Sequence, residues 1–130
     1  MSRSRPARSA LLPGAALLLA TAIAGACGQG RPDAADGATL TVIATDVAFD
    51  SPTYTVAAGA VEVTLVQEGL IPHTLVIGDE DGNELDLALA VNDGRPEATA
   101  TIDIEAGGYL IWCTIPGHRA LGQEAILTAS

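Results

Sequence analysis

An all-β sandwich is the fold class that this sequence predicts, on three observations. Apolar residues alternate with polar ones at period two in several short runs. Glycine or proline punctuates those runs, and helix start and stop signals are nearly absent. A strand buried on one face turns every second side chain inward, so such alternation marks antiparallel sheets with one dry and one wet face.

The runs follow in order. Leu40, Val42 and Ala44 alternate with Thr41 and Thr45. Phe49-Asp50-Ser51-Pro52 turns the chain, and Tyr54-Thr55-Val56 resumes it. After a turn at Ala57-Ala58-Gly59, Val61, Val63 and Leu65 face one way while Glu62 and Thr64 face the other. His73 opens a strand over Thr74 to Ile77. Leu85 to Val91 fits either a strand or one helical turn. Ala98, Ala100, Ile102 and Ile104 alternate with Thr99, Thr101 and Asp103, and Tyr109 to Cys113 and Ala125 to Thr128 complete the set. Two polar clusters read as turns. Asp79-Glu80-Asp81-Gly82-Asn83 has a calcium-like look, but its glycine falls at the wrong place for an EF-hand loop and no helices flank it. In Asn92-Asp93-Gly94-Arg95-Pro96, glycine or asparagine is expected to supply a positive φ.

Ahead of this domain, residues 1–26 read as an export signal. Arg3, Arg5 and Arg8 form a positive head, and Ala10 to Ala26 is small, apolar and uncharged, too short and too rich in Ala and Gly for a comfortable membrane span. The signal ends in Ala24-Gly25-Ala26-Cys27, small residues before a cysteine as in lipoprotein signals, so Cys27 is expected to be lipidated and to anchor the protein to a membrane. Plain secretion by cleavage at the same bond, or a disulfide from Cys27 to Cys113, are the alternatives. Residues 27–38 then form the lipidated cysteine and a flexible tether, and 39–130 one globular domain. Without the leader, Arg31, Arg95 and Arg119 stand against all 16 acidic residues, and lysine is absent. Such a surface repels nucleic acid and anionic membranes and steers toward a basic partner, although solubility alone also accounts for it.

The chemistry lies in Cys113-Thr114-Ile115-Pro116-Gly117-His118-Arg119-Ala120-Leu121-Gly122-Gln123. A thiol, an imidazole and an amide recur there at steps of five, with His73 upstream as their complement. The chain has two histidines and two cysteines, so a His2Cys site uses every such ligand except Cys27. One soft thiolate, two imidazoles and a weak fourth donor suit copper in an electron-transfer site, although zinc also accepts His and Cys. The only methionine is Met1, which leaves Gln123, a backbone carbonyl or nothing for the weak position. Strand parity turns Tyr109, Ile111 and Cys113 to one face. Pro116-Gly117 folds the chain back so that His118 returns to the same volume, and Gly122 allows a second close approach. Trp112 falls on the opposite parity and is expected in the core.

Tyr109 to His118 with Gly122-Gln123, and the upstream Gly69-Leu70-Ile71-Pro72-His73-Thr74, resemble the ligand loop and first-histidine segment of the cupredoxins, the small blue-copper proteins. The resemblance runs from about Thr39 to Ala129. It implies a Greek-key β-sandwich holding one type 1 copper ion on His73, Cys113 and His118, with Gln123 in an axial place where most bacterial members carry Met and stellacyanin-type members carry Gln. Gln67 and Thr74 stand where the family often has Asn. It further implies that His118 lies near the surface as an electron port, collared by Leu70, Ile71, Pro72, Pro116, Ala120 and Leu121.

The expected function is therefore that of a monomeric, exported, lipid-anchored one-electron carrier on the outer face of the cell membrane or in the periplasm, serving a redox protein partner. No enzymatic activity is expected. A multicopper oxidase needs several His-x-His pairs, and a dinuclear copper centre needs a second loop cysteine. The alternatives are an envelope protein that buffers or delivers copper without redox turnover, and a copper-free adhesion-like sandwich.

Overall fold

The computed structural model describes residues 37–130. The export signal of 1–26, Cys27 and the tether as far as residue 36 lie outside the described residues. Eight strands carry the domain: β1 (Ala38–Ala44), β2 (Thr53–Val56), β3 (Gly59–Gln67), β4 (His73–Asp79), β5 (Glu84–Val91), β6 (Glu97–Ile104), β7 (Gly107–Trp112) and β8 (Glu124–Ala129). A single helical turn, α1 (His118–Leu121), interrupts the last connection.

They form two packed sheets, ordered β1-β3-β6 and β2-β8-β7-β4-β5. Most pairs are antiparallel, but β1 runs parallel to β3 and β2 parallel to β8; β1 and β2, consecutive in the chain, lie at the edges of different sheets. Periodicity reports which face of a strand is dry and says nothing of its partner's direction.

The inward positions are those the alternation marks. Leu40, Val42, Val61, Val63, Leu65, Leu75, Ile77, Ile111 and Leu127 join one core cluster, each 4% exposed or less. At about 25 cal/mol per Å² of apolar surface removed from water, this aliphatic interior is the main favourable term that rigidifies the sheet ends. The ambiguous stretch is a strand: Leu87, Leu89 and Val91 point inward from β5, and His73 to Val76 pair with it.

Three local details bear on the sequence expectations. Trp112 is buried but lies outside the core cluster, on the outer face of its sheet, where its ring crosses Gly78 and carries the Arg119 guanidinium at 4.7 Å. Strand parity had already placed it opposite Cys113; a cation–π lid and a glycine on the neighbouring strand, not the sandwich interior, bury it. Gly94 is absent from the glycines of positive φ, and the Asn92 side chain holds that turn by accepting the Gly94 N–H at 2.9 Å. At the other polar turn, the Asp79 carboxylate accepts the N–H of Asp81 (3.0 Å) and of Asn83 (2.8 Å) and the Asn83 side-chain amide (2.9 Å). Those bonds hold its carboxyl below the usual range and commit it to the turn.

The registers also separate the two ends of the sandwich. β4 begins, and β1, β3, β5 and β7 finish, at the end that holds His73 and Cys113. Ala38, Gly59, the 79–84 turn, Glu105 and Ser130 gather at the other.

Candidate metal centre

Each candidate ligand is placed by a strand end or a tight turn. His73 opens β4 and turns inward with Leu75 and Ile77, and its ring is fully buried. The loop before it is held by Asp46, whose carboxylate accepts the backbone N–H of Leu70 at 2.6 Å and of Ile71 at 3.3 Å. Position 69 is glycine because the Asp46 carboxylate occupies the space a side chain would need. Cys113 follows β7 on the parity of Ile111 and is 1% exposed.

The ligand loop is closed by its own backbone. Gly117 is left-handed at φ 86°, which turns the chain at Pro116-Gly117 into α1, and the His118 N–H bonds the Ile115 carbonyl at 3.1 Å. Gly122, at φ 125°, brings the chain against the Val47 carbonyl, 3.2 Å from where a Cβ would sit. The Cys113 N–H then donates to the Gln123 carbonyl (3.0 Å), and the Gln123 N–H to the His118 carbonyl (3.1 Å). Three candidate donors are thus tied to one another through main chain, independently of any ion.

The donor atoms converge. One donor atom from each of His73, Cys113 and His118 lies within 4.8 Å of the other two, the one such cluster among the described residues. Cys113 Sγ is 3.7 Å from His118 Nδ1, and the two imidazole rings stand 5.3 Å apart at 57°. Bonds of about 2.3 Å to sulfur and about 2.0 Å to nitrogen, opened to roughly 120°, separate two donors of one ion by roughly 3.7 Å. The Sγ–Nδ1 spacing matches. Gln123 is fully buried, and its Nε2 donates to the Thr45 carbonyl at 2.8 Å, which leaves Oε1 facing His73 Nδ1 at 2.8 Å. A side-chain amide anchored in this way presents oxygen, not nitrogen, to the cluster.

Burial holds His73 below the usual imidazole range, the Gln123 bond opposing and the His118 charge assisting. It therefore stays in the neutral form that has a lone pair for a metal. His73 Nε2 is buried with no hydrogen-bond partner. Within the described residues Cys113 has a free thiol, and the Thr74 N–H points at its sulfur from 3.4 Å. The donor set and its spacing fit a soft first-row ion.

All four ligand candidates of the described domain are gathered here, while Cys27 lies outside the described residues. Sequence reasoning missed Asp46, the Thr45 carbonyl and Thr114, whose backbone N–H donates to Thr74 Oγ1 at 2.8 Å. All act through backbone groups or loop contacts far apart in the chain, for which no periodicity exists. Of the residues expected to collar the half-buried His118, Leu70 is exposed at 81%, Leu121 at 66% and Ile71 at 38%, and Val47, unforeseen, is exposed at 58%. Arg119, next to His118, is turned away onto Trp112 and pairs with Glu124.

No protein-family model and no curated protein match the sequence. Solved structures do match the fold. Reduced auracyanin from the photosynthetic bacterium Roseiflexus castenholzii is similar at a TM-score of 0.62 and 22% identity, over 71% of this chain and 96% of that one. Auracyanin A from Chloroflexus aurantiacus, described as a blue copper protein, gives 0.59 and 19%, over 71% and 98%. A purple cupredoxin from Nitrosopumilus maritimus gives 0.53 and 19%, over 70% and 99%. The architecture is the cupredoxin fold.

Proposed function

We propose that this protein is a type 1 copper protein that carries single electrons. The observation that carries this is the convergence of His73, Cys113, His118 and the oxygen of Gln123 at one end of a cupredoxin sandwich, the fold shared with auracyanin A. Copper supplies the one-electron couple when bound. The protein's part is to keep the donors in one place. His73 and Cys113 sit on strand ends inside an aliphatic core, and the 113–123 loop is cross-bonded to itself, so the ligand frame resists change between oxidation states. Little reorganisation means a low barrier to electron transfer.

His118 is the proposed port. Its half-buried ring approaches the buried sulfur at 3.7 Å, and the exposed apolar side chains of Val47, Leu70, Ile71 and Leu121 would let a redox partner approach with little polar desolvation. The acidic surface favours a basic partner over nucleic acid. The carrier acts as a monomer, and we place it outside the cell, held by a lipid on Cys27. Mass spectrometry of the membrane-extracted protein should show that lipid, and a Cys27→Ser variant should appear in the soluble fraction.

The deciding experiment is copper loading of the 27–130 protein. The expected result is an intense thiolate-to-copper absorption at about 600 nm and a reversible one-electron voltammogram. Readily exchanged copper with no reversible couple would indicate a copper buffer, and a colourless product would remove the copper reading.

A further inference from the structure

The turn that carries His118 is not held by the core. α1 buries none of its four residues, and Ala120 and Leu121 are exposed. Apart from His118, the side chain that fastens it is Arg119. The guanidinium lies 4.7 Å from the Trp112 ring centroid and pairs with the Glu124 carboxylate. Both partners belong to the outer face of the five-stranded sheet. Trp112 stands opposite Glu124 across β7 and β8, and opposite Val76 across β7 and β4. Its indole is seated on the bare backbone of Gly78, where a Cβ would be 2.5 Å from the ring. Gly78 lies on β4, the strand that His73 opens. Every member of this clasp is next to a ligand candidate in the chain. Trp112 precedes Cys113, Arg119 follows His118 and Glu124 follows Gln123.

We infer that Arg119 is a positioning residue that latches the His118 turn to the outer face of the sheet, and thereby sets how fast the metal ion is exchanged. This rests on the copper-carrier reading above. The reason is access. His73, Cys113 and Gln123 are each at most 1% exposed, whereas His118 is half-buried. An ion therefore reaches or leaves the sulfur on the His118 side, and its passage swings α1 away from the sheet. That motion breaks both contacts of Arg119. A guanidinium suits the task because its plane stacks on the indole while its N–H groups meet the carboxylate; an ammonium has no plane to stack. Contacts this near the surface are individually weak, so the latch biases a local opening without sealing it.

The test is amide hydrogen exchange in the metal-free 27–130 protein. It is read at Leu121, Gly122 and Gln123, whose N–H groups bond the Gly117, Arg119 and His118 carbonyls. In Arg119→Gln these amides should exchange about threefold to tenfold faster. The Arg95 amide, in the separate 92–95 turn, should keep its wild-type rate. Glu124→Gln leaves the indole contact and should give a smaller rise. In the copper-loaded protein, release to a chelator should accelerate in the same order and by similar factors. A merely structural Arg119 would lower the urea midpoint yet leave the three loop amides and the release rate unchanged, and that result overturns the proposal. Equal acceleration of the Arg95 amide also overturns it, since the opening would then not be local. A wild-type protein with no thiolate-to-copper band removes the carrier reading, while the amide rates decide the latch separately.

Discussion

Gln123 is the residue on which the character of the centre turns. Its amide is buried, its nitrogen is fixed by the Thr45 carbonyl, and its oxygen faces His73. An amide oxygen is harder than a thioether and favours Cu(II). Gln123→Met should therefore raise the potential, by the equivalent of tenfold or more in relative Cu(I) affinity, about 59 mV. Voltammetry checks this, and an unchanged or lower value would refute the axial assignment. A second residue gives a pH test away from the metal. Tyr54 donates to the Asp50 carboxylate at 2.6 Å, and that carboxylate also accepts the Ile43 N–H at 2.8 Å, which fastens the β1–β2 connection to β1. Burial, with the Asp50 bond and charge, raises the phenol above its ordinary value of 10.0. A raised folded-state pKa contributes stability that is intact below the unfolded value and lost as pH climbs past it toward the folded one. Urea midpoints measured from pH 8 upward should fall above about pH 10 in the wild type, and more shallowly in Tyr54→Phe.

At the scale of elements, the ligand loop is a strand end, a left-handed turn, one turn of helix and a second strained glycine. Gly122 carries both burdens at once: a φ of 125° and the Val47 carbonyl 3.2 Å from a would-be Cβ. Gly122→Ala should cost about 1–3 kcal/mol in the metal-free protein, measured by urea denaturation. It should also speed copper loss to a chelator, because the Cys113–Gln123 and Gln123–His118 backbone bonds share that turn. A variant as stable as wild type with the same release rate would mean that the loop is not pre-formed by its backbone. Gly117 has a positive φ of 86° but open space around it, so strain there is conformational alone.

Within the described domain, one end carries the metal cluster, exposed apolar side chains and the acidic Asp46, Glu68 and Asp93; the far end carries Asp79, Glu80, Asp81, Glu84 and Glu105. Arg95 and Arg119 are the only Lys or Arg among the described residues, and Arg119 is paired with Glu124. Two such molecules meeting collar to collar repel at long range although their contact faces are apolar. Electron self-exchange in the copper protein, followed by NMR line broadening, should accelerate with added salt and level off once the Debye length is about 8 Å or less. Leu121→Asp should slow the exchange at every ionic strength. Insensitivity to both changes would place the port elsewhere than His118 and its collar.

Alternation in the sequence was enough to determine the sandwich, its inward residues and the parity that turns Cys113 toward the core, since period two is a local consequence of backbone geometry. The convergence of His73 with the 113–123 loop was legible from ligand chemistry and spacing. Tertiary structure alone decided the two parallel strand pairs and the strand identity of Leu85 to Val91, which pairing with β4 settles where propensity could not. It alone set the outer-face burial of Trp112 beneath Arg119 and the roles of Thr45, Asp46 and Thr114. Those outcomes depend on which distant backbone groups meet, and residue order along a chain carries no record of that until the chain has folded.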